Sequence, residues 1–347
     1  MEKPIEANPP PDATEAAALL AIEETSIGAA KPYSQRRAMF ELWIVPMLAI
    51  LLPWRWVWRL YQRYLPASSL FAEPADRAWR GLQTVGPAIT SQLNLIDQST
   101  FRLRHQLTRL LDHVDVYLAL FRPKFWIRRY ARLSGSWPAS AEKNRAQETQ
   151  TGLLTNSSHG AFLALTFHWG CGLWALWQLR QQGICAHFLS IRVSRADFAN
   201  RPVEYRYAQL RLWLVQRLTK AEVIYTQGAA EKIMQCWQRG EAVIAVMDVP
   251  GRGIGRHHGT QVMNVAGRPF HWPLGLPALA VQQQIPVLFF AGHIDWATGC
   301  RTIEVGAARV YTDTITCIEQ LAETFSTLLQ ADPAAWHLAE FSGAFWD

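Results

Sequence analysis

Residues 166–176 read TFHWGCGLWAL: an apolar run ends in His168, a Gly-Cys-Gly follows at once, and a tryptophan-rich amphipathic segment begins. Imidazole titrates near pH 6.5, so a histidine at the end of a buried strand is placed to take a proton from a hydroxyl near neutrality. Gly170 and Gly172 permit a tight turn into the next helix. Amides at a helix start lack partners within the helix and can face a developing oxyanion. The competing reading of His168 is packing or a backbone contact in the core.

Two other stretches invite chemistry. Cys171 is a nucleophile candidate because a nearby histidine can lower a thiol pKa. Its Trp-Gly-Cys-Gly-Leu context does not fit the G-x-S-x-G elbow, and His168 is only three residues away. It reads better as a small turn residue, with a Cys171-dependent thioesterase as an alternative. PGRGIGRHHG lacks G-x-G-x-x-G spacing and no helix opens from it, so a dinucleotide site is not expected. Arg252, Arg256, His257 and His258 suit a mobile basic rim over an active site. No carboxylate and cysteine set accompanies the paired histidines, and no metal or other cofactor is expected.

The elements that must position these residues follow from the pattern after residue 152. GAFLALTF, ICAHFLSI, AEVIYT, AVIAVMD, IPVLFFAGHI and TIEVGAARVY read as strands, and amphipathic segments between them read as helices. Gly183 closes the helix LWALWQLRQQG, and Asp313 or Thr312 caps the helix that stops before Pro333. Strands alternating with helices predict an α/β fold with a mainly parallel central sheet flanked by helices. Ligands then bind beyond the carboxyl ends of the strands.

The first half differs. Residues 1–35 are Pro- and Ala-rich and read as a disordered arm without the features of a signal peptide. Residues 36–138 read as helical, with FRLRHQLTRLLDHVDVYLALF showing three-and-four spacing of leucines, and an α/β domain is expected over 139–347. Leu42–Trp54 is an apolar stretch of thirteen residues interrupted by Pro46 and Pro53. A spanning helix needs roughly 20. With Arg55, Arg59 and Arg63 among Trp54, Trp56, Trp58 and Tyr61, the stretch predicts an interfacial anchor, aromatic rings in the acyl boundary and guanidinium groups at phosphates. The alternative is a core helix of a soluble domain.

Composition narrows the partners. The 347 residues carry a net charge of +6 and sixteen tryptophans, a balance that favours anionic partners. There is no zinc-finger, RNP or long basic-region signature, so nucleic acid is not expected. Anionic membrane lipids and acidic carrier proteins fit better. Five widely spaced cysteines without C-x-x-C argue against disulfides or a zinc site and for a reducing compartment.

In order, the blocks FHWGCGLWAL, IRVSR, an Arg-rich helix, GEAVIAVMDVPGRGIGR, GRPFHWPLGLPALAVQQQIPVLFF and DPAAWHLAEF cover roughly residues 40–345. This ordering resembles the lipid A biosynthesis acyltransferases, the late lauroyl and myristoyl transferases of the lysophospholipid acyltransferase-like superfamily. The resemblance implies a glycerolipid acyltransferase-like fold and His168 as general base on an acceptor hydroxyl. The family's supporting acid, five residues on, is replaced here by Leu173. A replacement must sit near a strand end on the same edge. Asp248 is the best candidate, in a block where the family also keeps an aspartate, against a reading as a loop cap or arginine partner. Glu204 and Asp197 are weaker.

Arg192 and Arg195 stand where the family places basic residues near the acceptor or phosphate site. With Arg252, they are expected to bind an anionic headgroup or phosphopantetheine. The expected function is transfer of an acyl group from acyl carrier protein, or another thioester donor, to a hydroxyl of a lipid or glycolipid. The expected place is the cytoplasmic face of the inner membrane, as a peripheral or monotopic protein. The alternative outside enzymology is a degenerate protein that binds acyl chains or lipids without catalysis.

Overall fold

The computed structural model describes residues 35–67, 69–122, 128–138, 160–198, 201–226, 228–249 and 259–346. The arm before residue 35, the polar linker from residue 139 and the Gly/Arg/His loop with Arg252, Arg256, His257 and His258 lie outside the described residues.

The core is a sheet of seven strands flanked by helices. Its strands are β1 (Ala131–Ser134), β2 (Phe162–Thr166), β3 (Ala186–Ser190), β4 (Ile224–Tyr225), β5 (Ala242–Val246), β8 (Val287–Ile294) and β9 (Arg301–Val305), in the order β1-β9-β8-β2-β5-β3-β4. All neighbours pair in parallel except β8 with β9. Every residue of β2 is buried, which is why FLALT is a continuous apolar run and not an alternating one. The expected α/β class and mainly parallel sheet are thus present.

Helices α7 (Leu173–Gln181), α8 (Pro202–Thr219), α9 (Ala229–Gln238), α10 (Gly275–Gln282) and α11 (Thr314–Ala331) occupy the segments between strands and after β9. Asp313 caps α11, its carboxylate accepting from the Thr316 amide at 2.7 Å. Gly183 ends α7 with a positive φ of 77°.

The N-terminal part comprises α1 (Gln35–Met39), a π-helical turn (Phe40–Ile44), α2 (Val45–Leu51), α3 (Trp54–Tyr64), α4 (Ser69–Gln83), α5 (Pro87–Leu95) and α6 (Gln98–Phe121). The expected boundary at residue 139 needs correction, because Ala131–Ser134 pair in register with Arg301–Glu304 inside the sheet. The helices are also stitched to the sheet layer. Indole nitrogens of Trp54 and Trp58 donate to the carbonyls of Thr298 and Ala297 at 2.8 and 3.1 Å. Buried Arg301 of β9 donates to Asp115 of α6 at 2.5 Å and stacks on the Trp54 ring.

The anchor expectation is overturned for three of its four rings. Trp54, Trp58 and Tyr61 follow an i, i+4, i+7 stripe and are buried. Only Trp56 faces out, 72% exposed. A different stripe faces outward: Phe40, Ile44, Met47 and Leu51 at spacings of four, three and four, followed by Trp56 and Leu60, all exposed. Arg55, Arg59 and Arg63 are exposed on the same helix as Trp56 and Leu60. Tryptophan occurs on both sides of α3, so ring type alone does not tell its inward stripe from its outward one.

A hairpin of β6 (Thr260–Val265) and β7 (Arg268–Pro273) was not anticipated. Its two-residue turn, Ala266–Gly267, has positive φ at both positions, which fits a type I′ turn, although the alanine is an unusual occupant of the first position.

Candidate active site

Strand register brings the site together. Thr166 of β2 aligns with Val246 of β5, so His168 and Asp248 each stand two residues beyond aligned strand ends. Neighbouring strands lie about 4.8 Å apart, which puts the two side chains within reach. Asp248 is completely buried and accepts three hydrogen bonds. Its Oδ1 accepts from the His168 amide at 2.8 Å and lies 3.1 Å from Nδ1, and its Oδ2 accepts from the Trp336 indole at 2.7 Å.

This arrangement sets the tautomer. A carboxylate oxygen only accepts, so Nδ1 carries the proton and Nε2 of a neutral ring presents its lone pair. Nε2 has no hydrogen-bond partner among the described residues, and the His168 side chain is 43% exposed. Desolvation works against protonation of His168, but the charge and hydrogen bond of Asp248 outweigh it and raise the pKa above its ordinary value. Buried His105 and half-buried His113 and His337 go the opposite way: desolvation pushes the first two down to about 3 and lowers His337 as well.

The backbone behind the ring is fixed. The His168 carbonyl accepts from the His337 amide at 2.8 Å, and Trp169 bridges to Trp336. Gly170 has a φ of 52°, and a Cβ there would overlap the Gly292 carbonyl oxygen, so glycine is required on two counts. The expectation that its amide serves an oxyanion is corrected, since that amide donates to Ala335 at 2.9 Å and the Gly170 carbonyl accepts from His337 Nε2 at 2.8 Å. Gly172 has an ordinary helical φ and open space around it, so neither packing nor strain demands glycine. It precedes the first turn of α7, where the Trp174 and Ala175 amides already donate to the Cys171 and Gly172 carbonyls at 3.3 and 3.1 Å.

Leu173 points into the core, 7% exposed, while Asp248 occupies the hydrogen-bonding position on Nδ1. Glu204 lies in the first turn of α8 and has no hydrogen bond to His168 among the described residues, and the Asp197 side chain lies outside them. Cys171 is 1% exposed, its thiol pushed well up by burial, and its Sγ meets the His293 carbonyl at 3.4 Å. The leucines and tryptophans of α7 are core residues.

Arg192 stands two residues past β3, whose register with β5 aligns it with the Asp248 row. It is exposed and stacks over the Tyr225 ring at 4.6 Å, and Arg195 is exposed beyond it. Both therefore lie past the same sheet edge as His168. Arg252 lies outside the described residues.

Sequence reasoning missed a second group nearby. Arg211 of α8 grips Asp112 of α6 through both guanidinium nitrogens, one at 2.8 Å. His113 Nδ1 lies 3.0 Å from the Tyr207 hydroxyl. Burial opposes the Asp112 charge, yet Arg211 holds its carboxyl down at about 2. Both ions act electrostatically on His168, Arg211 lowering and Asp112 raising its pKa. Trp336 and His337 were also missed, because an indole or imidazole within an apolar segment has the sequence signature of core. A groove of about 470 Å³ runs between α11 and the β8–β9 pair, lined by Phe289, Ala291, His293, Gly306, Thr327 and Leu328.

No family model matches the chain, and a search of curated proteins finds no significant match.

Proposed function

We propose that the protein is a membrane-associated O-acyltransferase with a glycerolipid acyltransferase-like fold. It moves an acyl group from acyl carrier protein, or another thioester donor, to a hydroxyl of a lipid or glycolipid. The observation that carries this reading is the His168–Asp248 pair: a buried carboxylate orients a half-exposed imidazole with Nε2 turned away from its partner.

In the proposed reaction the acceptor hydroxyl oxygen attacks the thioester carbonyl while His168 Nε2 takes its proton. Asp248 stabilises the imidazolium that forms. Collapse of the tetrahedral intermediate breaks the carbon–sulfur bond; the sulfur leaves with the electron pair and receives the proton from Nε2. Arg192 and Arg195, past the same edge, suit the phosphate of phosphopantetheine or an anionic headgroup.

The outward stripe from Phe40 to Leu60, with its arginines, supports peripheral attachment to an anionic surface on the cytoplasmic face of the inner membrane. No helix among the described residues is long and apolar enough to cross a membrane. The net charge of +6 suits an acidic carrier protein. A Cys171 thioesterase draws no support from a buried thiol with a raised pKa. The test is lipid mass spectrometry on cells with and without the gene, complemented by wild type or His168→Ala. Loss of one acylated lipid, restored only by wild type, is the expected result. An unchanged lipidome would favour a non-catalytic lipid binder.

A further inference from the structure

A second cluster lies at the opposite end of the same strands. Cys185 immediately precedes β3, His187 is its second residue, and Glu241 immediately precedes β5. Ala186 aligns with Ala242, and the Ala242 amide donates to the Cys185 carbonyl at 2.9 Å, so Cys185 and Glu241 are cross-strand neighbours. Cys185 and His187, two residues apart, share a face. One ligand atom from each of the three residues lies within 4.8 Å of the others.

The hydrogen bonding of His187 leaves an electrostatic problem. Its Nδ1 lies 3.0 Å from the Glu222 carbonyl oxygen, which only accepts, so Nδ1 must donate. In the neutral ring Nε2 then points a lone pair at Glu241 Oε2, 3.0 Å away. Two acceptors at that distance need a cation between them or on the ring. The carbonyl bond on the far nitrogen is the usual orienting contact of a metal-binding histidine. Nitrogen, carboxylate oxygen and thiolate sulfur together suit zinc, whose bonds of about 2.0–2.3 Å place ligand atoms roughly 3–4 Å apart.

We propose that Cys185, His187 and Glu241 form a zinc-class metal site that pins the amino ends of β3 and β5. Cys236, at the end of α9, stands outside this group of three, its Sγ accepting from Arg239 at 3.4 Å. Cysteine spacing cannot reveal this site, because its ligands come from separate segments with no C-x-x-C among them. The site is structural. It stands on the order of 20 Å from the His168 pair along β5, and is independent of the acyltransferase reading. Arg239 is its competitor: it holds Glu241 Oε2 at 2.7 and 2.9 Å and donates to Cys236 Sγ at 3.4 Å. Its half-exposed side chain can swing into solvent when a metal takes the carboxylate.

The test is titration of the tag-free, metal-stripped full chain with Co²⁺, then Zn²⁺. One equivalent of cobalt with a thiolate charge-transfer band, displaced by zinc with a rise in Tm, is expected. Cys185→Ser should remove the band, and His187→Gln or Glu241→Gln should weaken binding at least about tenfold, whereas Arg239→Ala should tighten it by about as much. Binding of less than a tenth of an equivalent, or a band that survives Cys185→Ser, would overturn the proposal. Should Cys185→Ser not fold, cobalt affinities of His187→Gln and Arg239→Ala equal to wild type would overturn it as well.

Discussion

Trp336 and His168 hold the two oxygens of one carboxylate: the indole donates to Asp248 Oδ2 at 2.7 Å while the imidazole and its amide engage Oδ1. Asp248 is therefore fixed in rotation by groups 88 and 80 residues away in sequence. Trp336→Phe keeps the packing ring and deletes one charge-assisted bond, normally a loss of about 1.5–3 kcal/mol. Transfer should fall about tenfold or more in kcat with acceptor KM little changed. A KM effect alone would place Trp336 in binding instead of positioning.

The pH dependence follows from the sign of the His168 shift. Asp248 raises that pKa, so the neutral base gains population only as pH climbs past a value above the ordinary 6.5. Activity should rise with pH through that midpoint, and Asp248→Asn should move the midpoint down while lowering the rate. His168→Ala should cost at least about a hundredfold. Superimposable profiles for wild type and Asp248→Asn would sink the assignment. The same shift makes the pair's contribution to stability complete below the ordinary histidine value and lost as pH rises through the raised one.

The Arg301–Asp115 pair predicts a different asymmetry. Burial raises the Asp115 carboxyl to about 6 even with Arg301 beside it. Arg301→Met should strand a buried acid and cost about 3–5 kcal/mol, whereas adding Asp115→Leu should recover much of the loss. Urea denaturation of the two variants checks this; equal stabilities would contradict it.

Glu41 in the π-helical turn is 2% exposed, and desolvation pushes its pKa up to about 8. A raised acid favours folding below its unfolded value near 4.5 and loses that contribution as pH climbs toward 8. Glu41→Gln should therefore stabilise by about 1–3 kcal/mol at pH 8 and by little at pH 4. Thermal melts at both values decide the matter.

Two of the three tryptophans of α3, Trp54 and Trp56, should behave oppositely. Trp56→Ser together with Leu51→Ser should leave Tm nearly unchanged and reduce binding to anionic vesicles by about tenfold or more, at roughly 1.5–3 kcal/mol per buried side chain. Trp54→Ser should lower Tm sharply, since its ring is buried over Arg301. Vesicle binding unaffected by the Trp56 pair of substitutions would remove the outward stripe as an attachment surface.

The α/β class was legible because its strands are continuous apolar runs and its helices keep three-and-four spacing. His168 and Asp248 were legible for the same reason: each polar residue follows a strand of nearly the same length, so parallel register aligns them. The short β1, with only Ala131 of its four residues buried, carries no such signature, and neither does the Ala266–Gly267 turn. The inward stripe of α3 was misassigned because tryptophan serves a core as well as a membrane surface. Asp112, Arg211 and Trp336 escaped notice because their partners lie 88 or more residues distant, and no local pattern encodes such a meeting.

The placement of β1 beside β9, and of Trp336 against Asp248, imposes an order on the growing chain. Synthesis proceeds from the amino end, so β1 leaves the ribosome some 170 residues before the strand it pairs with. Asp248 likewise waits for an indole that lies 88 residues further along the chain. Until then the edge of the sheet is open and Asp248 Oδ2 lacks its indole donor, so the nascent chain carries His168 and Asp248 with only one of the two carboxylate oxygens held.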